Sequence, residues 1–146
     1  MKLKKIHFMS RPDAEGITPC STDAIISISC PFDPANLNIK WAPSQILRLE
    51  FNDIDEDELM THLGLKLFSP VDAKQIIDFA EHQKNKIETL FVHCDAGISR
   101  SGAVAKFLSE KYNLPFPTSY MLYNKFIYRV LTNTLNNMMW KENYEP

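Results

Sequence analysis

The stretch Leu90-Phe91-Val92-His93-Cys94-Asp95-Ala96-Gly97-Ile98-Ser99-Arg100-Ser101-Gly102 restricts the fold more than any other part of the chain. An apolar run of strand length stops at a polar, glycine-containing loop, and a helical pattern starts as soon as the loop ends. Runs of the same kind occupy residues 4–9, 24–29, 46–51 and 88–93, each followed by breakers such as Ser10-Arg11-Pro12 or Cys30-Pro31-Phe32-Asp33-Pro34. Several are apolar throughout instead of alternating, as in a sheet covered on both faces.

Helical periodicity fills the space between and after these runs. Ser69-Pro70-Val71-Asp72 carries an N-cap, a proline at the first helical position and an acid at the third. Ala73, Ile76, Ile77 and Ala80 then share one face. A second helix is predicted over 101–112, burying Val104, Phe107 and Leu108, and a third over 119–135, with Tyr123, Ile127, Val130 and Leu131 inward. A short one is predicted over 56–63, with Asp55 as N-cap and Gly64 as terminator. Strands alternating with helices imply an α/β fold: a mostly parallel sheet of four to five strands with helices on both faces. Length fits one domain over 1–146, and no linker or repeat divides it. In such folds ligands collect at the carboxyl ends of the strands, where the Cys94 loop lies.

The loop has the makings of an anion cradle. Gly97 supplies the backbone freedom for a curl that turns successive N–H groups from Asp95, Ala96, Gly97, Ile98 and Ser99 toward one point. The helix that follows aims its positive end at the same point, and the planar fork of Arg100 can hold two oxygens of a phosphate. Such a field favours an anionic sulfur on Cys94, which becomes a nucleophile beneath a tetrahedral anion. Ser101 is placed to donate a hydrogen bond to that sulfur, and His93 to fix the loop through its ring nitrogens.

The residues His93, Cys94, Gly97, Arg100 and Ser101 resemble the pattern H-C-x-x-G-x-x-R-[S/T] of the protein tyrosine phosphatase superfamily. The late position of the cysteine is similar to the compact dual-specificity group. The segments Leu47-Arg48-Leu49-Glu50-Phe51-Asn52-Asp53 and Cys94 to Ser101 look like those of small bacterial and phage members. The resemblance covers residues 22–112. It implies phosphoester hydrolysis through a phosphocysteine, without cofactor or metal. It also implies a general acid: an aspartate on a separate loop a few tens of residues before the cysteine. Asp53 lies 41 residues before Cys94, directly after a strand, and matches that aspartate. Asp55 and Asp57 compete for the role, although Asp55 suits an N-cap with Glu58 completing a capping box.

Charge and size bear on the substrate. The eighteen acids include six crowded between Glu50 and Glu58, which leaves twelve against sixteen Lys and Arg. That mild basic excess suits a small anionic ligand and falls short of a nucleic-acid interface. With 146 residues there is little chain for an added recognition loop, so a shallow pocket is expected. Asp95 would repel a polyanion, which disfavours inositol lipids and capped RNA ends. The expected partner is a phosphorylated protein or peptide, with phosphotyrosine foremost and phosphoserine or phosphothreonine also accepted. The other classes considered are a non-catalytic phosphate-binding module and a rhodanese-like sulfurtransferase.

The remaining features weigh less. Cys20, Cys30 and Cys94 form no C-x-x-C pair, no apolar run is long enough to cross a bilayer, and no secretory signal is visible, so a cytoplasmic setting is expected. Cys30 follows a strand and, by the resemblance, could protect the nucleophile as a reversible disulfide; burial as a small apolar group is the commoner fate of such a cysteine. His7, His62 and His82 lack ligand spacing. Tyr120 to Tyr123 are expected to pack into the core, and spacing assigns no role to Asn124, Lys125 or Arg129.

Overall fold

A computed structural model describes residues 1–55 and 64–144. Its elements, in chain order, are β1 (Lys5–Met9), α1 (Arg11–Glu15), β2 (Asp23–Ser29), a 3-10 turn (Pro43–Gln45), β3 (Ile46–Glu50), α2 (Pro70–Gln83), β4 (Thr89–His93), α3 (Arg100–Lys111) and α4 (Lys125–Tyr144). The four strands form one parallel sheet in the order β1-β4-β2-β3, flanked by helices. β2 and β4 are the central strands, with Ser27 beside His93 and Met9 beside His93 on the other side.

Central position explains the unbroken apolar runs, because both faces of the middle strands are covered. Ala24, Ile26 and Ile28 of β2, with Leu90 and Val92 of β4, face one core. That core is closed by Ala73, Ile76 and Ile77 of α2, Val104 and Leu108 of α3, and Ile127 and Leu131 of α4. Each of the Val, Leu and Ile side chains contributes about 1.5–3 kcal/mol on full burial. The opposite face is thinner: Ile25 and Met9 pack with Ala14 of α1 and with Trp41 from the loop before the 3-10 turn.

Local chemistry sets the helix boundaries. Ser69 Oγ accepts from the Asp72 N–H at 3.2 Å while Asp72 Oδ2 accepts from the Ser69 N–H at 3.0 Å, a reciprocal cap that starts α2 as the sequence predicts. Two elements differ from expectation. Ser10-Arg11-Pro12 reads as a breaker, yet Ser10 Oγ accepts from the Asp13 N–H at 3.3 Å and the proline sits in the first turn of α1, where its missing donor is harmless. The third helix begins at Lys125 instead of 119 and runs to Tyr144. Asn124 starts it, its Oδ1 accepting from the Ile127 N–H at 2.9 Å, and the preceding residues are left free to cross the end of α3. The helix expected over 56–63 lies outside the described residues. Among the described residues no helix is long and apolar enough to cross a membrane.

Candidate anion-binding and nucleophile site

β4 ends at His93 and α3 begins at Arg100, so the six residues from Cys94 to Ser99 form the connection. Gly97 has φ of +73°, the left-handed region that glycine tolerates without strain. It also lies so close to β1 that an added Cβ would stand 2.3 Å from Ser10 N and 2.4 Å from Met9 C. The loop is tied to the same strand end: the Cys94 N–H donates to Met9 O at 3.4 Å and the Arg11 N–H to Asp95 O at 3.1 Å. Among the described residues, none of the backbone N–H groups from Asp95 to Ser99 meets a protein acceptor. Ser99, at the head of α3, makes no side-chain cap, so the positive end of the helix is left open toward this loop.

Cys94 is 2% exposed, and its Sγ lies 3.1 Å from Ser101 Oγ in the first turn of α3. His93 is fully buried behind it. Its Nδ1–H donates to Cys94 O at 3.2 Å, since a carbonyl can only accept, and its Nε2 therefore accepts from Ser27 Oγ at 2.6 Å. Burial, against the opposing pull of the Cys94 carbonyl, holds the imidazole below its ordinary pKa. The ring is thus a neutral strut joining the two central strands under the loop.

The Arg100 guanidinium is 5% exposed. Its Nη1 donates to Phe51 O at 2.9 Å and to Cys30 Sγ at 3.6 Å, and its Nη2 to Asp95 Oδ2 at 3.0 Å. Burial opposes its charge, but Asp95 and the two sulfurs more than compensate, so it stays firmly cationic. Those contacts use three of the five donors. Nε–H and one Nη2–H are not used by these contacts and remain for a ligand.

Asp53 follows β3 and comes to the same edge. Its Oδ1 accepts from Ser99 Oγ at 2.9 Å and from Asn124 Nδ2 at 2.8 Å. The aspartate that sequence leaves without a structural task is therefore fastened to the loop and to the start of α4. Asn124, 3% exposed, is the residue that sequence reasoning missed. Besides Asp53 it donates from Nδ2 to Ile54 O at 3.1 Å, caps α4, and sends its N–H to Ser99 O at 3.0 Å. Only its place as a helix cap was open to detection from sequence, by the preference of asparagine for that position. Asp55 is exposed, and Asp57 lies outside the described residues.

Tyr120 also departs from expectation. It is not in a helix; its hydroxyl donates to Ile98 O, and its ring lies against Gly102, where an added Cβ would be 3.0 Å away. Burial and the neighbouring Cys94 sulfur raise its pKa. A concavity of about 480 Å³ between α2, α3 and α4 is lined by residues that include Ile77, Glu81, Lys111 and Met138. Of its three acids, Asp78, Glu81 and Glu142, Glu81 accepts from Tyr112 Oη at 2.6 Å and from Lys111 Nζ at 3.2 Å, and Asp78 pairs with Lys74 at 2.7 Å. That concavity is structural, and the chemistry-bearing groups gather at the Cys94 loop.

No protein-family model matches the chain, and no curated protein does. Among solved structures, the human tyrosine phosphatase-like serine/threonine/tyrosine-interacting protein superposes with a TM-score of 0.56 over 82% of this chain and 80% of that one. The two sequences are 15% identical, so the likeness is one of fold. The protein has a tyrosine-phosphatase-like α/β fold.

Proposed function

We propose that the protein is a cysteine-dependent phosphoester hydrolase acting on phosphotyrosine, and also on phosphoserine or phosphothreonine, in proteins or peptides. The observation that carries this reading is the run of N–H groups from Asp95 to Ser99, unpartnered among the described residues, that follows Cys94 in the chain, with two unused donors of Arg100 at its end. The human fold neighbour is named tyrosine phosphatase-like, which agrees with a phosphatase fold. So does the likeness of the Leu47–Asp53 and Cys94–Ser101 segments to small bacterial and phage enzymes.

In the first step the N–H groups and Arg100 bind the phosphate oxygens, and Cys94 Sγ attacks phosphorus. The phosphorus–oxygen bond breaks as Asp53 gives its proton to the leaving oxygen. In the second, the Asp53 carboxylate takes a proton from water, whose oxygen attacks phosphorus. The phosphorus–sulfur bond breaks, and Ser101 donates a hydrogen bond to the departing sulfur. His93 supports the loop, and no cofactor enters. A free-thiol nucleophile suits a reducing compartment such as the cytoplasm.

The test is phosphate release from an aryl phosphate, with and without vanadate, beside a thiosulfate–cyanide sulfur-transfer assay and a Cys94→Ser control. Vanadate-sensitive release that vanishes in C94S is the expected result; sulfur transfer without phosphate release would make the protein a sulfurtransferase. Asp53→Asn should reduce turnover of an alkyl phosphate far more than of nitrophenyl phosphate. The non-catalytic phosphate-binding reading draws on one feature, that Asp53 Oδ1 already holds two donors. Phosphopeptide binding with no turnover by the wild-type chain would establish it.

A further inference from the structure

The turn after β2 holds an unexplained residue. The Asp33 N–H donates to Cys30 O at 3.2 Å, closing a four-residue turn with Pro31 second and Phe32 third. Phe32 has φ of +66°. Proline followed by a positive φ is the type II pattern, in which the third position belongs to glycine or asparagine. A phenylalanine there is strained, and burial does not offset the strain, because Phe32 is 96% exposed and contacts no other aromatic ring among the described residues.

The turn is fastened to the anion loop on two sides. Cys30 Sγ, at its first residue, lies 3.6 Å from Arg100 Nη1 and 3.8 Å from Asp95 Oδ2. Arg11 donates from Nη1 to Asp33 O and from Nη2 to Pro34 O, both at 2.8 Å, while its own N–H holds Asp95 O. One arginine thus binds the backbone of the turn and the backbone of the cradle. Phe32 stands two residues from Cys30, at most about 7 Å of chain. The turn that carries Phe32 therefore borders the loop assigned to phosphate, and aromatic rings pair at centroid separations of about 4.5–7 Å.

We infer that Phe32 is a specificity-determining residue: its exposed ring meets the phenyl ring of a phosphotyrosyl substrate, and Arg11 is the positioning residue that holds it at the rim. The short chain thereby obtains from a strained turn the aromatic contact that its length leaves no loop to supply. This rests on the Cys94 loop binding phosphate, whether or not hydrolysis follows.

The test is peptide affinity, measured with C94S protein and one peptide sequence carrying phosphotyrosine or phosphoserine, with inorganic phosphate as third ligand. Phe32→Asn, which suits the positive φ, should weaken the phosphotyrosyl peptide about three- to tenfold. It should leave phosphoserine peptide and inorganic phosphate unchanged and not lower the melting temperature. Phe32→Trp should restore tyrosine preference. Arg11→Gln should lose the same preference, with a rise in KM and little change in kcat in the wild-type Cys94 background. Equal effects on both peptides, or none, would overturn the inference. Cys94-dependent hydrolysis without a Phe32 effect sinks this inference alone. Phe32-dependent binding without hydrolysis sinks only the hydrolase reading. A folded protein that binds none of the three ligands sinks both.

Discussion

Replacing Gly97 by alanine tests the close approach on which the anion loop is built. The new Cβ would stand 2.3 Å from Ser10 N, 2.4 Å from Met9 C and 2.8 Å from Met9 O, against an ordinary separation of about 3.5–4.0 Å. All three atoms are backbone and cannot rotate aside. The positive φ of +73° adds about 1–2 kcal/mol for any residue with a Cβ. Overpacking of this kind costs about 1–3 kcal/mol, so the expected total is about 2–5 kcal/mol. For a domain of this size that is a fall in melting temperature of about 10 °C. Gly64 is the internal control: its φ is +84°, but no described atom lies within 4 Å of an added Cβ. Gly64→Ala should therefore show the backbone strain alone, about 1–2 kcal/mol. In G97A the loop must also draw back from β1, lengthening the Cys94 N–H to Met9 O and Arg11 N–H to Asp95 O bonds and weakening vanadate binding more than tenfold. Thermal denaturation and vanadate titration of both variants decide the matter. Equal melting temperatures for G97A and G64A, or unaltered vanadate affinity in G97A, would refute the argument.

Three other outcomes are expected. Asn124→Ala removes the α4 cap and leaves Asp53 with one donor, so it should cost about 1–2 kcal/mol in urea denaturation and slow alkyl phosphates more than aryl ones. His93 is held neutral in the fold, with its pKa below the ordinary 6.5, so its contribution to stability is complete above pH 6.5 and declines as pH falls below it. His93→Gln should flatten that decline in denaturation curves at pH 7.5 and 5.5. Hydrogen bonds from Tyr112, Lys84 and Lys111 outweigh burial and hold Glu81 at about 2, so its contribution is present above its ordinary 4.5 and lost as pH falls toward 2. Glu81→Gln should remove that acid-limb dependence, read from melting temperatures between pH 5 and 2.5.

The architecture was legible because it is written in local pattern. Apolar runs fall within a residue of all four strands, and the Ser69–Asp72 cap marks the start of α2. The connection from Cys94 to Ser99 was equally legible as a strand-to-helix loop, because strand, loop and helix are contiguous there. What escaped detection depends on partners distant in sequence. Asn124 is an ordinary polar residue until folding brings it 71 residues back to Asp53. Ser10 looks like part of a breaker because a five-residue helix has too few turns to show periodicity. The strain at Phe32 is a backbone property with no signature beyond the preceding proline.

The strand order has a consequence for how the chain reaches this state. β2 and β3 pair across 21 residues, Ile25 with Ile46, but β1 pairs only with β4, Lys5 with Thr89, across 84. Loop-closure entropy favours the nearer pairing first, and contacts of such long separation slow folding. During synthesis β1 is made first and waits, with both edges unpaired, until β4 emerges to fill the gap between it and β2. The anion loop borrows its anchors from β1 and its Arg100 support from the end of β3, so it cannot exist in part. It assembles in the same event that completes the sheet, so the phosphate affinity proposed for it should appear during refolding only with the slowest phase.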